Sequence, residues 1–307
     1  MKNNIKCLGW FIRFAQPGSA SGKVMEDTLK FPMVRRFAAQ QTVDFFWAGE
    51  ALIFEIIFEA KTVSPQPDPA QAACVPIFRV HGLDDVLASY RAAGVKVIAP
   101  QPQFHGREAF LLDHEDHLIG LRERLDSSPL TADRDAARRG QRGEAFNPGC
   151  AAMPGGIQEL GWIVRRVVDV PAMTAFYRDV VGLNDLGREY DRSLLDLGDG
   201  ATLELAPGGR ITEALPTDRR EVPNLFILRV HQRQPLIDRL KAHGVRFIHE
   251  LIQWDRGALS YFADPEGNLV GIEERYHPSR YAPAQSPFPE DLESERRWRE
   301  LPGPVKF

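Results

Sequence analysis

Leu160-Gly161-Trp162-Ile163-Val164-Arg165-Arg166-Val167-Val168-Asp169-Val170, followed by Ala175-Phe176-Tyr177-Arg178-Asp179-Val180-Val181-Gly182-Leu183, sets a β-branched run directly against a helix start. Residues 160–167 have the composition of a strand. Asp169 suits an N-cap and Pro171 a first helical turn, so a helix is expected over 170–181, with Gly182 ending it. Strands are expected next at 185–190, 193–197 and 201–205, the last two joined by Gly198-Asp199-Gly200. The order is βαβββ. A second such unit follows, with a strand at 225–230, a helix near 235–243 that Gly244 terminates, and strands around 245–248, 258–263 and 269–274.

Outward from this stretch the chain repeats itself. Leu8-Gly9-Trp10 matches Leu160-Gly161-Trp162 at a shift of 152 positions, and Phe78-Arg79-Val80-His81 matches Leu228-Arg229-Val230-His231 at a shift of 150. Leu112-Asp113-His114-Glu115-Asp116-His117-Leu118-Ile119-Gly120 lines up with Ala263-Asp264-Pro265-Glu266-Gly267-Asn268-Leu269-Val270-Gly271, with Glu123-Arg124 and Glu274-Arg275 after them. Order and register are kept, which marks an internal duplication. The expected organisation is a first module over 1–125, a linker over 126–156, a second module over 157–276 and a C-terminal tail over 277–307. The linker is rich in breakers, such as Ser127-Ser128-Pro129 and Asn147-Pro148-Gly149. Copy one follows the pattern more loosely, with its first helix near 22–29.

The bulk properties narrow the function classes. A chain of 307 residues has room for two domains. A net charge of -4 offers no attraction to a phosphate backbone, so nucleic acid is not an expected partner. No apolar run approaches the roughly 18 to 20 residues a bilayer span needs, so no membrane helix is expected. Met1 to Trp10 does not read as a secretory signal, which makes the cytoplasm the expected compartment. Cys7, Cys74 and Cys150 are far apart and contain no C-x-x-C pair, which argues against a disulfide framework or a thiolate zinc site.

The opening stretch and the turn Asp264-Pro265-Glu266-Gly267-Asn268 together resemble the vicinal oxygen chelate superfamily of glyoxalases, bleomycin-resistance proteins and extradiol dioxygenases. The resemblance implies an α+β fold of tandem paired βαβββ modules, whose four units form two cup-shaped mixed β-sheets around small-molecule sites. It also implies a divalent metal held by His or Glu from the first, fourth, fifth and eighth strands of a module. Those positions match Trp10 and Trp162, Glu55 and Glu204, Val75 and Leu225, and Gly120 and Gly271. Only the glutamates are ligands, and one carboxylate does not make the roughly three-ligand set of a catalytic site. No cofactor is therefore expected, with a relocated divalent metal using His105, His114 or His117 as the alternative.

Residues two apart on a strand share a face. That alternation groups Trp162, Arg166, Glu204, Leu225, Arg229, Gly271 and Glu273 in the second copy, and Trp10, Ile12, Phe14, Glu55, Arg79 and Arg122 in the first. An aromatic wall with a carboxylate and guanidiniums suits a planar or carboxylated ligand. The leading expectation is a metal-independent lyase or isomerase in which Glu204 or Glu55 takes a proton and Arg166 or Arg229 stabilises the enolate. Trp10, Trp162, Leu225, Gly271, Arg79 and Arg122 would contact the ligand, with His105 and Trp254 at the rim. Internal Glu–Arg pairs that replace a lost metal are the structural alternative, and ligand sequestration without chemistry is the functional one. A small molecule is the expected partner and a homodimer is compatible with it. The second copy, which keeps the pattern better, is the expected ligand site, and His114 and His117 are expected as a solvated turn pair.

Overall fold

The computed structural model describes residues 4–31, 33–37, 43–48, 52–61, 65–103, 106–124, 157–198, 200–212, 214–254 and 257–275. The expected linker and tail lie outside them. Among the described residues sixteen strands form four successive groups. They are β1 (Ile5–Phe14), β2 (Met33–Phe37), β3 (Val43–Trp47) and β4 (Ile53–Ile57), then β5 (Cys74–Val80), β6 (Lys96–Gln103), β7 (Gly106–Leu112) and β8 (Leu118–Arg124). The second half supplies β9 (Ile157–Val167), β10 (Asn184–Glu189), β11 (Arg192–Gly198) and β12 (Ala201–Pro207), then β13 (Asn224–Val230), β14 (Phe247–Trp254), β15 (Gly257–Ala263) and β16 (Leu269–Arg275).

Each group has a helix after its first strand, as the sequence pattern requires. In the best-marked case Asp169 accepts the Ala172 N–H, Pro171 lies in the first turn, and Val170–Ala175 continues into the wider turn Phe176–Val181. Gly182 then closes it at φ +93°, where a side chain would be strained. The counterpart in the first group is short, Ser21–Lys23 continuing through Val24–Thr28, while Leu83–Ala92 and Arg233–Ala242 are regular.

The strands assemble into two open eight-stranded sheets in the orders β14-β15-β16-β13-β1-β4-β3-β2 and β10-β11-β12-β9-β5-β8-β7-β6. This corrects the expected grouping of side chains by copy. β1 pairs antiparallel with β13, not β5, and β5 pairs antiparallel with β9. Each sheet therefore takes its first strand group from one half of the chain and its second from the other. Along β1, Phe11 faces a large apolar cluster shared by both sheets and the helices, while Ile12 and Phe14 face the opposite way. β9 splits in the same manner, with Ile163 and Val167 against Trp162 and Val164.

Two buried arginines tie the sheets together. Arg13 of β1 donates to Asp113 in the β7–β8 turn at 2.6 Å, to the Leu118 carbonyl at 2.8 Å and to Asn224 Oδ1 at 3.1 Å. Arg165 of β9 repeats the arrangement toward the other sheet. It donates to Asp264 and to the Tyr177 hydroxyl, both at 3.0 Å, and to the Leu269 carbonyl at 3.1 Å. Both aspartates also fold their own turns, Asp113 accepting the N–H of Glu115 and His117, and Asp264 those of Glu266 and Asn268. The matching DHEDH and DPEGN stretches thus carry the same joint. His117 is correspondingly buried beside Arg13 and only His114 is exposed, which corrects the expectation of a solvated pair.

Removing one partner of a buried pair strands the other charge and costs about 3–5 kcal/mol. Asp264→Ala and Asp113→Ala are each expected to lower the unfolding free energy by about that amount in urea titrations, and a loss under about 1 kcal/mol would contradict the role assigned to the joint.

Candidate functional site

The face of the first sheet turned away from the helices is lined by Ile12, Phe14, Phe45, Leu225, Ile227 and Tyr261, with Trp10, Val222, Ile248, Ile252 and Leu259 partly exposed around them. Strand register sets Glu55 of β4 beside Ile12 of β1, and Ile12 opposite Leu225 of β13. Glu55 is 6% exposed and forms no ion pair among the described residues. Burial is the main influence on its carboxyl. Arg219 opposes that influence, Glu273 and Glu59 add to it, and the pKa is pushed up to about 8.

Other charges on this face are tied to one another. Glu273 accepts Arg229 Nε at 2.9 Å and Arg275 Nε at 3.0 Å, and Arg275 also lies 5.6 Å from the centre of the Trp10 ring. Burial disfavours the charged form of Glu273, but Arg275 and Arg229 outweigh it and hold the carboxyl down at about 2. Arg219 reaches in from the segment between β12 and β13 and donates to the Tyr261 hydroxyl at 2.8 Å.

The corresponding face of the second sheet carries Trp162, Val164, Val75, Ile77 and Phe110. Glu204 occupies the place equivalent to Glu55, yet its surroundings differ. Arg122 Nη1 donates to it at 2.8 Å and Arg192 Nη1 bonds its other oxygen. Arg122 also donates to Glu108 at 2.7 Å. Burial works against ionisation of Glu204, but the two guanidiniums prevail and hold it at about 2. Arg122 and Arg79 lie 4.8 and 5.0 Å from the centre of the Trp162 ring, so guanidiniums already occupy the indole's surroundings. Arg166 is held at the edge by the carbonyls of Pro69 and Pro207, each at 3.1 Å.

The sequence-derived residues are thus redistributed. Trp10, Glu55, Leu225, Arg229, Gly271 and Glu273 meet on one face, and Trp162, Glu204, Arg79, Arg122 and Arg166 on the other. His105 and the Trp254 side chain lie outside the described residues. Arg219, Tyr261, Arg192 and Glu108 were missed. Arg192 and Glu108 were within reach of strand alternation once the hairpin register was known, whereas Arg219 sits in a connecting segment with no periodicity to betray it.

At the four family metal positions the first face presents Trp10, Glu55, Leu225 and Gly271, and the second Trp162, Glu204, Val75 and Gly120. The volume at the glycines is already filled. A Cβ on Gly271 would lie 2.6 Å from Ile227 Cγ1, and one on Gly120 would lie 2.1 Å from Ile77 Cδ1. A single oxygen donor among these four positions does not fit a catalytic divalent ion on either face.

Among the described residues no helix is long and apolar enough to cross a membrane. Residues 159–272 match the family model of the Glyoxalase/Bleomycin resistance protein/Dioxygenase superfamily. None of the curated proteins matches the chain. Glyoxalase I from Zea mays superposes with a TM-score of 0.61 over 95% of both chains at 12% identity. A protein of Bacillus subtilis subsp. subtilis str. 168 with a provisional dioxygenase name does so at 0.59 over 99% of both chains, also at 12% identity. At such identities the likeness is one of fold, and it extends through all four strand groups. The chain therefore has the paired-module fold of these proteins, and its residues 159–272 are similar to the Glyoxalase/Bleomycin resistance protein/Dioxygenase superfamily.

Proposed function

We propose that the protein is a metal-independent enzyme of the lyase or isomerase type, which moves a proton on a small aromatic or carboxylated substrate with Glu55 as general base. The observation that carries this reading is a buried carboxyl without an ion pair among the described residues, its pKa pushed up to about 8, on a face whose apolar walls are partly exposed. A carboxyl tuned close to neutral pH is suited to take a proton from carbon and return it, because proton transfer is most effective when the catalytic pKa lies near the working pH. Burial strengthens its basicity by withdrawing the solvation that would stabilise the carboxylate.

Glu204 is poorly suited to the same task, since two guanidiniums stabilise its charged form. Arg229 is engaged with Glu273 and Arg166 with two carbonyls, so neither expected oxyanion-binding arginine faces Glu55 unencumbered. The reading therefore shifts the catalytic centre from the second copy to the face built by β1, β4, β13 and β16. Sequestration without chemistry is the competing outcome, and it has no need of a base.

Exchange at the benzylic carbon of phenylpyruvate in deuterated buffer, followed by proton NMR, separates the two. The native protein should accelerate exchange above the buffer rate, and Glu55→Gln should lose about 10²- to 10⁴-fold of that acceleration. The exchange rate constant should rise with pH through a midpoint near pH 8 and level off above it. No acceleration by the native protein, or full acceleration by Glu55→Gln, would leave sequestration in its place.

The same carboxyl leaves a mark on stability. Folding raises the Glu55 pKa from its ordinary 4.5 to about 8, so between these values the folded state holds a proton that the unfolded state has released. Stability should fall as pH rises through this window, by an amount on the order of a few kcal/mol, and Glu55→Gln should abolish that fall. Glu204 has the opposite sign. Its contribution is present above 4.5 and lost as pH drops toward 2. Urea midpoints at pH 5 and pH 8.5 should show Glu55→Gln gaining on the native protein with increasing pH, and parallel curves for the two would contradict the assignment.

A further inference from the structure

The segment that joins β12 to β13 crosses the open side of the Glu55 face and is fixed there by charges. Asp218 accepts the Arg220 N–H at 2.9 Å and pairs with Lys61 at 2.7 Å, and Arg220 pairs with Glu59 at 3.4 Å. Backbone bonds continue the attachment, from Lys61 N–H to the Arg220 carbonyl at 3.0 Å and from Phe14 N–H to the Pro223 carbonyl at 2.9 Å. Arg219 is thereby turned inward, its guanidinium carbon 5.5 Å from the Tyr261 ring centre and 5.9 Å from that of Phe14.

Its partner set is unusual for this neighbourhood. Arg229 and Arg275 share Glu273, Arg220 has Asp218 and Glu59, and Lys61 has Asp218. Arg219 has a neutral hydroxyl, and no carboxylate within ion-pair distance among the described residues. A half-buried guanidinium without an acid retains donors in a planar fork, the geometry that accepts a carboxylate through two parallel hydrogen bonds.

The duplication supplies an internal comparison. On the second sheet Arg166 N–H bonds the Ala73 carbonyl, as Phe14 N–H bonds that of Pro223, so the segments ending at residues 73 and 223 correspond. Asp68 accepts the Ala70 N–H just as Asp218 accepts that of Arg220. The residue after each aspartate is Pro69 in one segment and Arg219 in the other. Pro69 offers no charge, and its carbonyl is already bonded by Arg166.

We infer that Arg219 is the anion receptor of the Glu55 face, and that the protein takes apolar or aromatic monocarboxylates there, at one site per chain despite the duplicated fold. The inference rests on the reading of the Glu55 face as the ligand site. Arg229 and Arg275 are already paired with Glu273, and Arg220 with Asp218 and Glu59, so a second carboxylate on the ligand is buried without a guanidinium of its own among the described residues. Trp10, Ile248, Ile252 and Leu259 offer the apolar body its contacts.

Isothermal titration of the full chain with phenylacetate, phenylacetamide and phenylmalonate tests this. Phenylacetate should bind with a stoichiometry of one, and the neutral amide and the dianion should each bind at least about tenfold more weakly. Arg219→Met should cost phenylacetate about tenfold or more, with Arg219→Lys recovering part of the loss, while Arg166→Met stays within about threefold of the native affinity. Circular dichroism melts confirm that each variant is folded. Absence of phenylacetate binding, two equivalent sites, indifference to Arg219→Met or equal affinity for the amide would each overturn the inference. The Glu55 reading fails separately, if phenylacetate follows this pattern and Glu55→Gln still exchanges deuterium at the native rate.

Discussion

The constraint on which the molecule depends is that Arg13 and Arg165 are buried in the joint between two sheets and must be neutralised there. A guanidinium cannot be withdrawn from water without acceptors for its donors, and each finds them in the other sheet's β-turn. The aspartates that receive them are committed twice, one oxygen organising the turn and the other taking the charge. Turn geometry, sheet orientation and charge burial are thus solved together. The sequence repeat is preserved most clearly around these residues because changing one partner leaves the others unsatisfied.

With the joint holding the scaffold, the two inner faces have been free to diverge. Both begin with a tryptophan on the first strand and a glutamate on the fourth. On one, Arg122 and Arg192 surround the glutamate and Arg79 and Arg122 surround the indole, so the polar groups satisfy one another. On the other, the position equivalent to Arg122 is Glu273, whose charge is taken by Arg229 and Arg275. Burial then outweighs the opposing charge of Arg219, with Glu273 and Glu59 adding to it, and Glu55 retains its proton near neutral pH. Glu273 in the place of Arg122, together with Val43 in the place of Arg192, separates a closed charge network from a carboxyl that burial keeps protonated near neutral pH.

Much of the fold was legible because its signals are local. The strand alternation of residues 160–167, the Asp169 cap with Pro171, the glycine at 182 and the DPEGN turn each act within a few residues, and all appear where expected. Pairing was not legible. Which first strand lies beside β1 depends on contacts more than 200 residues apart, and β5 and β13 present equally apolar edges in sequence. The same limit applied to the candidate site. Residues on one strand were grouped correctly, such as Arg229 with Leu225 and Ile227, while Arg79 and Arg122 were placed with Trp10 and belong with Trp162. Arg219 was invisible because a loop has no period from which to infer facing.

Interleaving the halves has a consequence for biogenesis. When residues 5–124 have left the ribosome, both β1 and β5 still lack the neighbours that will cover them, since β13 and β9 are yet to be made. Two hydrophobic borders must remain unzipped until the distal segment arrives, a state open to off-pathway association. Its long-range pairings also imply slow maturation compared with a protein whose modules close one at a time. Severing the chain between residues 124 and 157 would yield two fragments that each need the other to complete either sheet, so neither half is an independently inheritable building block.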